Sequence, residues 1–307
     1  GRGRPPMITP PDPAAEPVPT PEKLVADLAL LLDLQPQGAD RFIGRQQEEG
    51  SGRVFGGQAI AQALVAARRT VPMDRFTHSL HAYFLRPGTD ALPIEYRVKR
   101  DLDGRSFANR RVVASQQGEA ILNLVASFQR PVEGPGHQHP AMPDVPPPEA
   151  LPSDAEAARR FAAGLPEGGL RRLLLRPRPF EFRSVEPRSW TAQPPRPPVG
   201  HVWFRMVAPL PPEPAIHRAV LAYISDFQLL SCALLPHGKS IFAGDVKGAS
   251  LDHALWFHDA FAVDDWLLYA TESPWSGAGR GFARGQIFAR DGRLVASVAQ
   301  EGMLRHL

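Results

Sequence analysis

The chain has 307 residues, enough for about two domains at the usual ~150 residues each. Its 35 Lys+Arg against 32 Asp+Glu leave a formal net charge of +3, too small to indicate a nucleic-acid partner unless the charges cluster, and they are scattered. One cysteine, Cys232, excludes an intrachain disulfide framework and a zinc-finger site. With 43% hydrophobic residues and no apolar run near the ~18 of a membrane span, a globular protein with a sizeable core is expected, with no membrane partner.

Proline marks the boundaries. Of 34 prolines, seven fall in residues 1–20, eight in 131–152 and four in 194–198. Proline lacks a backbone donor and fixes φ, so it gathers where no ladder or helix is needed. This divides the chain into a disordered tail (1–20), an N-terminal unit (21–130), a Pro-rich connection (131–199) and a C-terminal unit (200–307).

The first unit opens with an amphipathic helix over 21–34, with Leu24, Val25, Leu28, Leu31 and Leu32 on one stripe and Pro21 at its start. Gly56-Gly57 then precede an Ala-rich helix from Gln58 to Thr70, which Pro72 ends. Extended segments follow at 77–85, 92–100, 106–114 and 120–128, with turns at Pro87-Gly88, Asp103-Gly104 and Gln117-Gly118. The second unit repeats the order: a helix over 214–235, then strands at 250–257, 266–272, 281–288 and 294–299, with Asp291-Gly292 as a hairpin turn. Gly104-Arg105-Ser106-Phe107-Ala108 matches Gly279-Arg280-Gly281-Phe282-Ala283 at all but the middle position, which reads as a duplication. Carried forward from Gly118 and Gly292, that register sets Gln300 opposite Ala126.

Between His217 and Leu235, 13 of 19 residues are apolar and lie all round the helix, so protein must surround it. The expected class is α+β: two tandem helix-plus-antiparallel-sheet units forming one continuous sheet around two central helices. An α/β hydrolase would need alternating strands and helices and a Gly-x-Ser-x-Gly elbow, and the chain has neither.

Asp226 stands out as a carboxylate within the apolar helix. Desolvation there favours a raised pKa and a base role, though a helix-end or interface carboxylate paired with an arginine is an equally good reading. Ser250 and Gln300 sit at strand ends where polar and apolar residues alternate, so taken alone each reads as solvent-facing. Free N–H groups at the helix start Gly56-Gly57-Gln58 suit an anion or a carbonyl, and also a plain glycine turn. Gly277-Ala278-Gly279-Arg280-Gly281 precedes a strand, which argues against a phosphate loop. His137 and His139 lack further ligands. His253 and His258 fall on opposite strand faces, which argues against a shared metal, and the same objection meets His78 and His81. Cys232 reads as a core residue.

Two sets of motifs resemble a known family. Arg53-Val54-Phe55-Gly56-Gly57-Gln58 and the run from His78 to Gly88 resemble the N-terminal half of the type II acyl-CoA thioesterases. Tyr223-Ile224-Ser225-Asp226, Leu251-Asp252-His253-Ala254-Leu255-Trp256-Phe257-His258, Trp266-Leu267-Leu268-Tyr269 and Gln300-Glu301-Gly302 resemble the C-terminal half. The family fold is the double hotdog, the arrangement that the element order also suggests. The resemblance spans roughly 24–130 and 200–307 and implies Asp226, Ser250 and Gln300 as catalytic residues, serine standing where familiar members carry threonine. It implies hydrolysis of an acyl-CoA by a bound water, with no metal and no cofactor. Gly57 and Gln58 would polarise the thioester carbonyl. His78, Arg105 and Arg110 would contact the substrate, with Arg105, Arg110 and Arg280 as candidates for its phosphates, a role open to any surface arginine. A hotdog hydratase or dehydratase is the rival, though the helix holding Asp226 has no histidine nearby. A non-catalytic acyl-CoA binder is the other rival. A homo-oligomer is expected from open strand edges. The terminal Arg305-His306-Leu307 departs from a peroxisomal tripeptide at its first position, so the cytoplasm is expected.

Overall fold

The computed structural model describes residues 18–47, 50–188 and 190–306. The expected disordered tail falls almost wholly outside that range, and so does Leu307. Helix α1 (Pro21–Leu31) begins at Thr20, whose side chain accepts the Lys23 N–H at 3.2 Å, and buries Val25, Leu28 and Leu31. Strands β1 (Gln35–Pro36) and β2 (Arg41–Gly44) precede helix α2 (Gly56–Arg68). Then come β3 (Phe76–Phe84), β4 (Ile94–Asp103), β5 (Phe107–Gln116) and β6 (Glu119–Gln129). These four strands agree closely with the spans read from alternation.

The segment 131–199 departs from expectation. It holds helices α3 (Asp154–Ala162) and α4 (Gly169–Leu175), strand β7 (Phe180–Ser184) and the first residue of β8 (Val199–Met206). Proline is dense on both sides of β7 but absent within it, and Phe180 and Phe182 alternate inward as a strand requires. The second unit therefore starts some twenty residues before residue 200.

Helix α5 (Pro214–Ser225) is shorter than the 214–235 helix expected. The chain leaves the helix at Asp226, turns through Gln228 at φ +65° and continues as 3-10 turns over Leu230–His237. All-round apolarity reports burial rather than unbroken helix, and burial persists through the break. By length and composition Pro214–His237 could cross a membrane, but here it is interrupted and 61% of its most apolar window is buried.

Strands β9 (Val246–Ser250), β10 (Asp252–Phe257), β11 (Leu267–Gly277), β12 (Arg280–Ala289) and β13 (Leu294–His306) complete the described chain. The single strand expected over 250–257 is divided at Leu251. There the Asp252 carboxylate takes the Glu301 N–H at 2.7 Å and breaks the ladder.

The strands form one antiparallel sheet, β1-β2-β4-β5-β6-β3-β10-β13-β12-β11-β8-β7, with β9 paired to β13. Outward from the β3–β10 junction the two sides mirror each other, so the duplication is structural as well as sequential, and the fold is a double hotdog. Leu80 pairs with Leu255 across the junction. Helices α2 and α5 pack together inside the curl, and α2 also rests on β3 to β6. One register correction follows. Ala283 pairs with Gln300 while its counterpart Ala108 pairs with Phe128, so Gln300 corresponds to Phe128 rather than Ala126. The two hairpin turns differ in length and irregularity, which moves the count by one pleat. Phe128 is fully buried, so only the second half carries a polar group at this place.

Candidate active site

The site lies where the start of α2 meets the end of α5. Asp226 is the C-terminal cap of α5, and its side chain is only 5% exposed. A Cβ on Gly56 would lie 2.7 Å from Asp226 Oδ2, and one on Gly57 would lie 2.3 Å from the Tyr223 carbonyl oxygen. Both glycines are thus demanded by the close approach of the two helix ends. The Gly57 N–H donates to the Asp226 carboxylate.

Gln300 reaches the same point from β13. Alternation turns Val298, Gln300 and Gly302 inward, and Gln300 is 1% exposed. Its Nε2 donates to Asp226 Oδ1 at 2.7 Å and to Ser250 Oγ at 2.9 Å. Its Oε1 is buried with no hydrogen-bond partner among the described residues. Ser250 ends β9 opposite Gly302 and also hydrogen-bonds Asp226. Burial pushes the Asp226 carboxyl up to about 6, against the opposing pull of the Gln300, Gly57 and Ser250 hydrogen bonds. The three residues drawn from the resemblance therefore converge.

A fourth group was missed. His253 on β10 is fully buried, its Nδ1 3.8 Å from Asp226 Oδ1 and its Nε2 2.9 Å from Ser225 Oγ. Ser225 spends its own hydroxyl proton on the Ala222 carbonyl at 3.0 Å, so it accepts from Nε2–H. That assignment leaves a bare lone pair at Nδ1, which has no partner. Burial lowers the His253 pKa to about 4, so the ring is neutral near pH 7 and no ion pair forms. Scanning the helix of Asp226 for histidine could not find it, because the contact crosses from a strand 27 residues later.

The other expected contacts are corrected. The Gln58 N–H is taken by the Phe55 carbonyl at 3.0 Å, its side chain turns to the Arg45 carbonyl, and the residue does not line the cleft. Gly57 likewise serves the carboxylate. His78 bonds Ser127 Oγ at 2.7 Å, packs edge-on to Phe107 and does not line the cleft. Arg110 is fully buried and donates to Thr70, Leu102, Asn109 and Asp103, which leaves it nothing for a phosphate. Arg105 is exposed at the β4–β5 turn, outside the cleft, and Arg280 pairs with Glu301 at 3.2 Å.

Asp226, Ser250 and Gln300 share the wall of a cleft of about 1880 Å³, roomier than the ~300–1,000 Å³ of an ordinary ligand pocket. Phe55, Tyr223 and Phe227 give it an apolar side. A family model described as acyl-CoA thioesterase matches residues 188–303, and one described as the acyl-CoA thioesterase N-terminal domain matches 46–129. The chain belongs to the acyl-CoA thioesterase family. It is accordingly a hydrolase. Acyl-CoA thioesterase 2 of Haemophilus influenzae is 39% identical over 285 residues, covering 92% of this chain and 98% of the relative. Acyl-coenzyme A thioesterase 8 of Homo sapiens is 38% identical over 289 residues, covering 90% and 88%. Acyl-CoA thioesterase II TesB2 from Mycobacterium marinum superposes with a TM-score of 0.75 at 39% identity, covering 92% of this chain and 98% of that one.

Proposed function

We propose that this enzyme hydrolyses acyl-CoA thioesters in the cleft, with Asp226 as general base and Ser250 and Gln300 holding the attacking water. The observation that carries the reading is the Gln300 bridge. One amide nitrogen touches both Asp226 and Ser250, and the unpaired Oε1 remains as an acceptor for a water proton. Holding the water at several points removes much of its entropy before attack. As the water oxygen bonds to the carbonyl carbon, its proton passes to Asp226. The C–S bond then breaks, the sulfur leaves with that proton, and a carboxylic acid and free CoA result.

Thiol release from acyl-CoA esters of increasing chain length tests this beside an Asp226→Asn variant. Loss of the base is expected to lower kcat by about 10²–10⁴. Equal release by both proteins would place the chemistry elsewhere. Full turnover in Gln300→Ala would remove the water-holding role alone.

The proximity of His253 to Asp226 is the one observation that favours a hydratase. A catalytic histidine must reach its substrate, however, and this ring is fully buried and absent from the cleft wall. Hydration of a crotonyl thioester at a rate rivalling thiol release would reverse that judgement.

A further inference from the structure

Three arginines on the Pro-rich segment 131–199 line the same cleft as Asp226, Ser250 and Gln300. Arg176 and Arg178 follow α4, and Arg188 follows β7. They lie close enough for Arg178 to feel the like charges of the other two. None is ion-paired to a carboxylate among the described residues. The carboxylate whose charge reaches Arg188, that of Asp154, is already held by Ser184 through N–H at 2.9 Å and Oγ at 2.7 Å. Burial depresses the pKa of both Arg178 and Arg188.

Aromatic rings support Arg178 and Arg188 in place of acids. Arg178 lies 5.3 Å above the Phe227 ring, and Arg188 lies 5.9 Å from Trp190 and 5.6 Å from Phe242. Stacking of this kind fixes a guanidinium plane while its N–H edge stays open. Gathering desolvated like charges without a counterion is unfavourable, and a multiply charged anion relieves it through charge-assisted hydrogen bonds.

We propose that Arg176, Arg178 and Arg188 form a phosphate-binding wall for the coenzyme A portion of the substrate. The proposal rests on the reading that the cleft takes acyl-CoA. It moves the cationic contacts from Arg105 and Arg110 in the first unit to the Pro-rich segment, which supplies no part of the Asp226–Ser250–Gln300 cluster.

The test compares one acyl group on two carriers, coenzyme A and N-acetylcysteamine, which keeps the thioester but has no phosphate. Arg178→Gln and Arg188→Gln are each expected to raise KM for the CoA ester about 10-fold or more, as loss of a charge-assisted contact predicts. The fall in kcat/KM should be confined to that ester, and Arg178→Lys and Arg188→Lys should fall less. Equal losses on both carriers would show that the arginines only support the fold. No loss on either would show that the wall is unused. If the native enzyme released thiol from neither ester, the thioesterase reading would fail by itself. Calorimetric binding of adenosine 3′,5′-bisphosphate to the native protein and the Gln variants would then decide the wall: tight binding weakened in the variants supports it, and equal or absent binding overturns it.

Discussion

At Asp226 the carbonyl end of α5 and the N–H end of α2 face one carboxylate. The first opposes its charge and the second favours it, while burial decides the balance and brings the pKa to about 6. If Asp226 is the base, as proposed, kcat/KM should therefore rise with pH to a plateau with a midpoint near 6, because only the ionised form accepts a proton. The same burial affects stability. A carboxyl that ionises at about 6 when folded and near 3.8 when unfolded contributes stability below pH ~3.8, which is lost as pH rises through 6. That is about two pH units at ~1.36 kcal/mol each, on the order of 3 kcal/mol. His253 runs the other way. Its folded value of about 4 lies below the usual 6.5, so its contribution is present above pH 6.5 and lost as pH falls toward 4. The two effects oppose each other between pH 4 and 6.5. Asp226→Asn should expose the second alone: thermal melts should show it more stable than the native protein above pH 6, with the gap closing below pH 4. Asp226 was legible as a carboxylate in an apolar helix. The isolation of Arg110 was not, because its partners Thr70 and Asp103 surround it only after folding.

Among the elements, α2 is the one whose sequence most directly reports its packing. Its glycines Gly56 and Gly57 let its start approach the end of α5 closely, and the resulting contact sets the site. In Gly57→Ala the new methyl would meet the Tyr223 carbonyl, a backbone atom that cannot rotate away. The expected result is a loss of about 1–3 kcal/mol in stability together with a fall in kcat. Unfolding midpoints and thiol release measured on one preparation would check it, and a normal Tm would contradict the packing argument. The strands after α2 and most of those after α5, with their Gly-containing turns, were legible from alternation, whereas β1, β2, β7 and β8 were not, and β13 runs past the expected 294–299. The end of α5 was not, because an apolar run reads the same before and after a helix breaks.

Across the whole molecule the halves are joined at β3 and β10 and through the α2–α5 contact. The hydrogen-bonded cluster around Asp226 needs both: Gly57 comes from the first half, and Asp226, Ser250 and Gln300 from the second. Residues 18–130 expressed alone would leave the β3 edge and the α5-facing side of α2 open. Such an edge invites pairing with another chain, so that fragment is expected to aggregate or pair with itself. Size-exclusion chromatography would check this, and a soluble single-chain fragment would mean that the first half closes without its partner.

The sequence by itself determined the duplicated helix-and-strand order and the apolar interior, and its motifs singled out Asp226, Ser250 and Gln300 as the proposed site, because period, turn chemistry and motif are local properties of the chain. Only the tertiary structure decided that His253 stands beside Asp226, that Arg110 is enclosed, and that β7 and three cleft arginines belong to the segment rich in proline. Those are contacts between residues distant in sequence, and pairwise distance is a property that a linear pattern does not carry.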